Sequence, residues 1–228
     1  MAFRSSIAAA LGKSAHWAGE TFMHRSPGNL PGVLAMKAAP LVLCDLAKKV
    51  DTVVVVSGTN GKTTTTYLVK HMLEDAGHKV GLIGTNQNLI GDEVIETERT
   101  TPESYELHAL FARMRDAGCT HVIMEVSSHS LVLDRVHGIP FAVGAFTNLT
   151  QDHLDFHKTM EEYRKAKALL FSISKKGVIN LDDAAAEKML ADAKCPCMTF
   201  SCGKPEADLE ATDLQLHADG VEFTAQYQ

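Results

Sequence analysis

The residues best suited to chemistry start at Gly58-Thr59-Asn60-Gly61-Lys62-Thr63-Thr64, directly after an apolar β-branched run. In such a loop the backbone N–H groups and the N-terminus of the next helix can cradle a polyphosphate. Lys62 adds neutralising charge, and the Thr63 hydroxyl is placed to reach Mg²⁺. The usual pattern has a glycine five positions before Gly61, where this chain has Val56, so the loop is a shortened variant, GxxGK[ST]. A plain Gly-rich turn is the competing reading. The strand–loop–helix context favours a nucleotide site over it.

Two further groups stand where strands end, the place at which doubly wound sheets hold their ligands. Glu125 closes an apolar run and is followed by Ser127-Ser128-His129. A carboxylate there can hold Mg²⁺ beside Thr63, because Mg²⁺ takes oxygen ligands and keeps several waters; alone, it reads equally as an exposed loop carboxylate. The next run ends in Thr147-Asn-Leu-Thr-Gln-Asp-His-Leu-Asp155. His153 can ligate a metal through a neutral imidazole, with Asp152 or Asp155 orienting its other nitrogen. The plainer alternative is a polar loop whose Asp caps the following helix. Lys167 lies four residues after Tyr163 on one helix face, and by itself reads as a solvated lysine.

The elements that must position these groups alternate from Thr52 onward. Residues 53–57 read as a strand buried on both faces, and 63–76 as a helix with Leu68, Met72 and Leu73 on one side. A strand over 79–84 and a hairpin over 88–97, turning at Gly91-Asp92, come next. A helix over 102–117 has Thr101 as N-cap and Pro102 at its first position. Strands over 120–126 and 141–147 flank a helix around 130–136. A helix over 161–171, a strand over 177–180, a helix over 182–193 and a hairpin over 208–228 complete the pattern. Alternating strands and helices predict an α/β fold with a doubly wound, mostly parallel sheet. Residues 1–50 read as a helical lead-in broken by turn formers over 26–32, and residues 51–228 as one nucleotide-binding domain that stops short of its last strands.

Composition narrows the class. The chain has 228 residues, 45% hydrophobic and 22% charged, which suits an ordinary globular protein. A net charge of −6 without a Lys/Arg block argues against nucleic acid as a partner. No apolar run is long enough to span a bilayer, and residues 1–10 are too weakly patterned for a signal peptide. Five scattered cysteines fit a reduced cytoplasmic protein. Cys195, Cys197 and Cys202 lack two paired CxxC units, so ordinary strand-and-loop cysteines are favoured over a structural zinc.

Together the motifs resemble the Mur ligase family, the ADP-forming amide ligases of peptidoglycan synthesis. The matching segments are Ser57 to Thr66, Gly81-Leu-Ile-Gly-Thr85, Thr100-Thr-Pro102, Met124-Glu-Val-Ser-Ser-His129, Asp134-Arg-Val136, Thr147 to Asp155 and Tyr163 to Phe171. The Ser-Ser-His and Asp-His-Leu-Asp forms most resemble the UDP-N-acetylmuramyl-tripeptide synthetases. The resemblance implies ATP and Mg²⁺ as cofactors. Lys62 would bind the β/γ-phosphates, Thr63 and Glu125 one Mg²⁺, and His153 a second, with Lys167 as a carbamylated lysine beside it. Thr100, Thr101, Ser127 and Arg135 would contact a UDP-MurNAc-dipeptide-like substrate. The implied chemistry is attack of a substrate carboxylate on the γ-phosphate and displacement of phosphate from the acyl-phosphate by an amino acid's amine.

The chain departs from that family in three ways. Only about 50 residues precede the loop, where the family has a UDP-binding domain; Leu30-Pro-Gly-Val-Leu-Ala-Met-Lys37 and 40–46 resemble instead the lead-in of MurT, a ligase subunit that works with a glutaminase partner. The family's C-terminal ligase domain is expected to be absent from this chain. Leu133 stands where the tripeptide synthetases carry a polar residue. The expectation is a ligase segment that binds Mg·ATP and ligates weakly or not at all alone. The alternatives are a subunit completed by another polypeptide and a non-catalytic remnant.

Overall fold

The computed structural model describes residues 52–139 and 141–228. The expected helical lead-in over 1–50 and its turn cluster lie outside the described residues.

Strand β1 (Thr52–Ser57) leads through the glycine loop into α1 (Lys62–Asp75). Strands β2 (Val80–Ile83), β3 (Asn88–Ile90) and β4 (Glu93–Ile95) precede α2 (Ser104–Asp116). Next come β5 (His121–Glu125), the short α3 (Ser128–Val132) and β6 (Phe141–Phe146). After them α4 (Leu154–His157) and α5 (Met160–Ala168) run into a 3-10 turn, Leu169–Ser172. The chain continues through β7 (Ser174–Asn180), α6 (Ala186–Asp192), β8 (Cys197–Ser201), β9 (Leu209–His217) and β10 (Gly220–Tyr227).

The strands form one ten-stranded sheet in the order β10-β9-β8-β7-β6-β1-β5-β2-β3-β4. The run from β9 to β2 is parallel, while β3, β4 and β10 add antiparallel at the two edges. The predicted doubly wound, mostly parallel α/β class is the observed one. Strand β1 lies in the middle and all six of its residues are buried, which is why its sequence is continuously apolar rather than alternating. Its side chains divide between two layers. Val54 and Val56 pack with Val69 and Leu73 of α1. Val53 and Val55 pack with Leu107 and Met114 of α2 and Leu131 of α3. A third cluster seats α5 and α6, through Ala168, Ala186 and Met189, on Phe146 and Ile179.

Register decides where the chemistry can sit. Val56 pairs with Glu125, Ser57 with Phe146 and Ile83 with Met124. The loop after β1, Gly84-Thr85 after β2, Glu125 and the segment after β6 therefore emerge at the same edge of the parallel sheet.

Several element boundaries differ from expectation, each for a local reason. Helix α2 starts at Ser104 with Glu103 as N-cap, in a capping box with Glu106. Thr101 is not its cap, because its hydroxyl donates to the Glu125 carbonyl at 3.1 Å. The helix expected around 130–136 is α3, drawn forward because the Ser127 hydroxyl accepts the Ser130 N–H. Helix α6 starts after Asp182 and Asp183, which instead hold loops: Asp183 Oδ2 accepts the Leu149 N–H at 2.8 Å. Strand β8 is additional to the expected strands. The tail hairpin is present, with His217 and Gly220 closing it. Among the described residues no helix is long and apolar enough to cross a membrane.

Candidate functional site

Gly61 holds φ 81° at the N-cap of α1, a left-handed conformation natural to glycine that lets the chain reverse from strand into helix. The loop is fastened along its length to the segment after β6. Thr59 N–H donates to the Asn148 carbonyl (2.9 Å) and Asn60 N–H to Asn148 Oδ1 (2.9 Å). Asn148 Nδ2 and Thr147 Oγ1 both donate back to the Asn60 carbonyl. Thr59 Oγ1 donates to the Thr150 carbonyl and accepts the Thr150 N–H (3.0 Å). Gly58 lies so close to Thr147 that a Cβ would overlap its Oγ1. These bonds use the Thr59 and Asn60 N–H groups to fix the loop's shape, which leaves the N–H groups at the start of α1 to face an anion. Lys62 Nζ folds over it, donating to the Gly58 and Thr59 carbonyls at 3.0 Å each. Burial lowers the Lys62 pKa, opposed by Glu125 and Asp152.

Tyr163 closes the other side. It is 1% exposed, and its hydroxyl lies 3.3 Å from Thr59 Oγ1. Since the single Thr59 proton goes to Thr150, Tyr163 is the donor; burial raises its phenol pKa and keeps that proton in place. Lys167 Nζ sits 4.7 Å from the centre of the Tyr163 ring. The solvated reading of Lys167 is corrected here: it is 2% exposed, packed against the Tyr163 ring. Burial first, then the nearby Lys62 charge, lowers its pKa well below that of an ordinary lysine. A buried amine of this kind favours its neutral, nucleophilic form.

His153 is the N-cap of α4 at φ 52°, with its side chain 45% exposed and Nε2 3.4 Å from Asp152 Oδ2. Its ring meets the edges of His129 (4.9 Å) and Tyr163 (6.0 Å). His157 stacks on Tyr163 at 5.0 Å, and its Nε2 lies 2.8 Å from Ser128 Oγ. Burial lowers the pKa of both His129 and His157, which favours neutral imidazoles around Lys167.

Glu125 is 0% exposed, which removes the exposed-carboxylate alternative. Thr85 satisfies both its oxygens, through N–H to Oε1 (3.1 Å) and the hydroxyl to Oε2 (2.8 Å). The expected substrate-contacting residues join the same network. Thr101 Oγ1 donates to the Glu125 carbonyl and accepts the Ser127 N–H (3.2 Å). Arg135 donates to the Thr101 carbonyl and pairs with Glu103 at 2.8 Å. Thr100 Oγ1 is 3.1 Å from Thr85 Oγ1.

The sheet edge thus carries Lys62, Tyr163, Lys167 and His153 on one side, and Glu125, Thr100, Thr101, Ser127 and Arg135 on the other. The contributions of Thr85, Asn148, Tyr163 and His157 were not foreseen as such. Their signal was positional: each closely follows a strand or shares a helix face with a flagged residue. Among the described residues no group of three His, Cys, Asp or Glu side chains could hold a metal ion. Thr63 and Glu125 supply hard oxygens, and Mg²⁺ needs few protein ligands when phosphates and waters complete its shell. At the cysteines, burial pushes the Cys197 thiol up to about 12 and that of Cys202 up to about 11.

A family model described as Mur ligase middle domain matches residues 56–228. The UDP-N-acetylmuramoyl-L-alanyl-D-glutamate--2,6-diaminopimelate ligase of Clostridium tetani is 54% identical over 173 residues, covering 76% of this chain and 36% of that enzyme. The ligase of the same name from Corynebacterium glutamicum is 51% identical over 176 residues, covering 75% and 34%. A solved structure of a ligase of this name superposes with a TM-score of 0.73 at 29% identity, over 86% of this chain and 42% of its own. MurF from Acinetobacter baumannii shares the fold at a TM-score of 0.57 and 13% identity, over 86% of this chain and 40% of its own. The chain spans about a third of the length of the curated relatives it matches.

Proposed function

The chain belongs to the Mur ligase family through its middle domain, and on that premise we propose that it carries the ATP-binding part of an amide ligase that adds an amino acid to a UDP-MurNAc-dipeptide in peptidoglycan synthesis. The observation that carries the reading is the glycine loop, latched to Thr147–Thr150 by bonds on both sides, with Lys62 folded over it and Glu125 held at the same sheet edge.

In this reading Gly58, Thr59, Asn60, Gly61 and Thr64 line the polyphosphate, and Lys62 exchanges its loop carbonyls for phosphate oxygens. Thr63 and Glu125 would hold one Mg²⁺, and His153, with Lys167 as a carbamate, would hold a second. The cation, when bound, neutralises charge on the transferring phosphoryl group. Thr100, Thr101, Ser127 and Arg135 orient the muramyl-peptide so that its carboxylate meets the γ-phosphate, and an amine then displaces phosphate from the acyl-phosphate. Substrates of this kind place the reaction in the cytoplasm.

The test is calorimetric titration of Mg·ATP into the 228-residue chain beside Lys62→Ala. Binding that disappears in Lys62→Ala supports the reading. Equal affinity in both chains, or no binding by either, would sink it; the second result favours a remnant that no longer holds nucleotide.

A further inference from the structure

We propose that Thr85 is a positioning residue for the cation site: it sets the Glu125 carboxylate for the nucleotide-bound metal and ties it to the Thr100-Thr101 loop. The proposal rests on the reading of Glu125 as a Mg²⁺ ligand.

Glu125 is fully buried, and one residue supplies a donor to each of its oxygens, the Thr85 N–H to Oε1 and the Thr85 hydroxyl to Oε2. A carboxylate has about four lone-pair sites, so two donors fix its plane and leave the remaining lone pairs for a cation. The backbone is shaped to allow this. A Cβ on Gly84 would lie 2.6 Å from Glu125 Oε1, so only a glycine there lets the strand end close on the carboxylate and brings the Thr85 N–H within reach. Thr101 by contrast binds the main-chain carbonyl of Glu125, which fixes the strand end but not the side-chain rotamer.

The Thr85 hydroxyl also lies 3.1 Å from Thr100 Oγ1. It has one proton, and a cation-binding carboxylate only accepts. Thr85 therefore spends its proton on the shorter bond, to Glu125 Oε2 at 2.8 Å, with Thr100 Oγ1 beside it as the alternative acceptor. One hydroxyl thus borders both the carboxylate and Thr100, linking the cation side of the site to the substrate loop.

The experiment titrates Mn²⁺ into the full chain at fixed ATP, read by electron paramagnetic resonance of free Mn²⁺, for the wild type, Thr85→Val and Thr85→Ser. Metal-free ATP affinity and thermal melting are measured alongside. Valine keeps the branched shape and removes the hydroxyl; serine restores it. Thr85→Val is expected to raise the Mn²⁺ concentration at half-saturation about tenfold, the usual size of losing an outer-shell partner. Thr85→Ser stays close to the wild type, and metal-free ATP affinity moves in neither. Unchanged Mn²⁺ binding in Thr85→Val, or equal weakening with and without metal, overturns the proposal while leaving the nucleotide site standing. A wild type that shows no metal-dependent ATP binding overturns both.

Discussion

Tyr163 joins three parts of the site in one side chain. Its hydroxyl donates to Thr59 in the glycine loop, its ring lies against Lys167, and the same ring stacks on His157. Tyr163→Phe keeps the ring and removes only the latch, so Mg·ATP binding should weaken by about 0.5–1.5 kcal/mol, the net worth of one hydrogen bond. Calorimetry reads this as roughly a two- to tenfold higher Kd; unchanged affinity would mean that the latch does not help to hold the loop. At this scale the sequence marks candidate residues more readily than it shows what they touch. Lys62, Glu125 and His153 stand out because their types follow apolar runs at strand ends. Lys167 does not, because a helix face read alone cannot reveal that it is buried against Tyr163. Thr85 is concealed for the same reason, since its partner is 40 residues away.

Helices α5 and α6 are clamped by a buried guanidinium. Arg164 donates to both oxygens of Glu161 and reaches Asp192 Oδ2 at 2.7 Å. The hydrogen bond from Arg164 holds the Glu161 carboxyl at about 2, down from 4.5. A carboxylate depressed on folding contributes stability at pH values above its unfolded pKa and loses it as pH falls through the folded one. Part of the wild type's fall in melting temperature between about pH 4.5 and 2 should therefore vanish in Glu161→Gln. Thermal melts across that window check this, and parallel curves for the two chains would contradict it. Strand and helix identities were mostly readable from the sequence, since β-branched runs and 3.6-residue spacing are local signals. The boundaries that shifted were set from a distance. Thr101 fails to cap α2 because it bonds across to β5, 24 residues away. Strand β8 was missed because Cys197–Ser201 is short, with a polar alternation that shows only when β7 and β9 flank it.

Across the whole molecule, one apolar layer links α2, α3 and the turn after α5 through β1, β5 and β6. Leu170 is fully buried in it, against Gly144, where a Cβ would lie 2.9 Å from its Cγ. Leu170→Ala should cost about 2–5 kcal/mol, seen as an earlier urea midpoint at unchanged slope. A shift well below that range would show that the layer collapses onto the vacancy. Alternating elements were enough to predict a doubly wound sheet. They do not carry the strand order, because which strands neighbour β1 depends on pairings far apart in sequence. Those distances have a further consequence. The bonds that latch the glycine loop join residues 87 to 104 positions apart. During synthesis the loop leaves the ribosome well before Asn148 and Tyr163 do, at about 5–20 residues per second. For several seconds, then, the nascent chain displays a complete phosphate-loop motif with nothing to brace it, and a gripping site is born only when β6 and α5 dock.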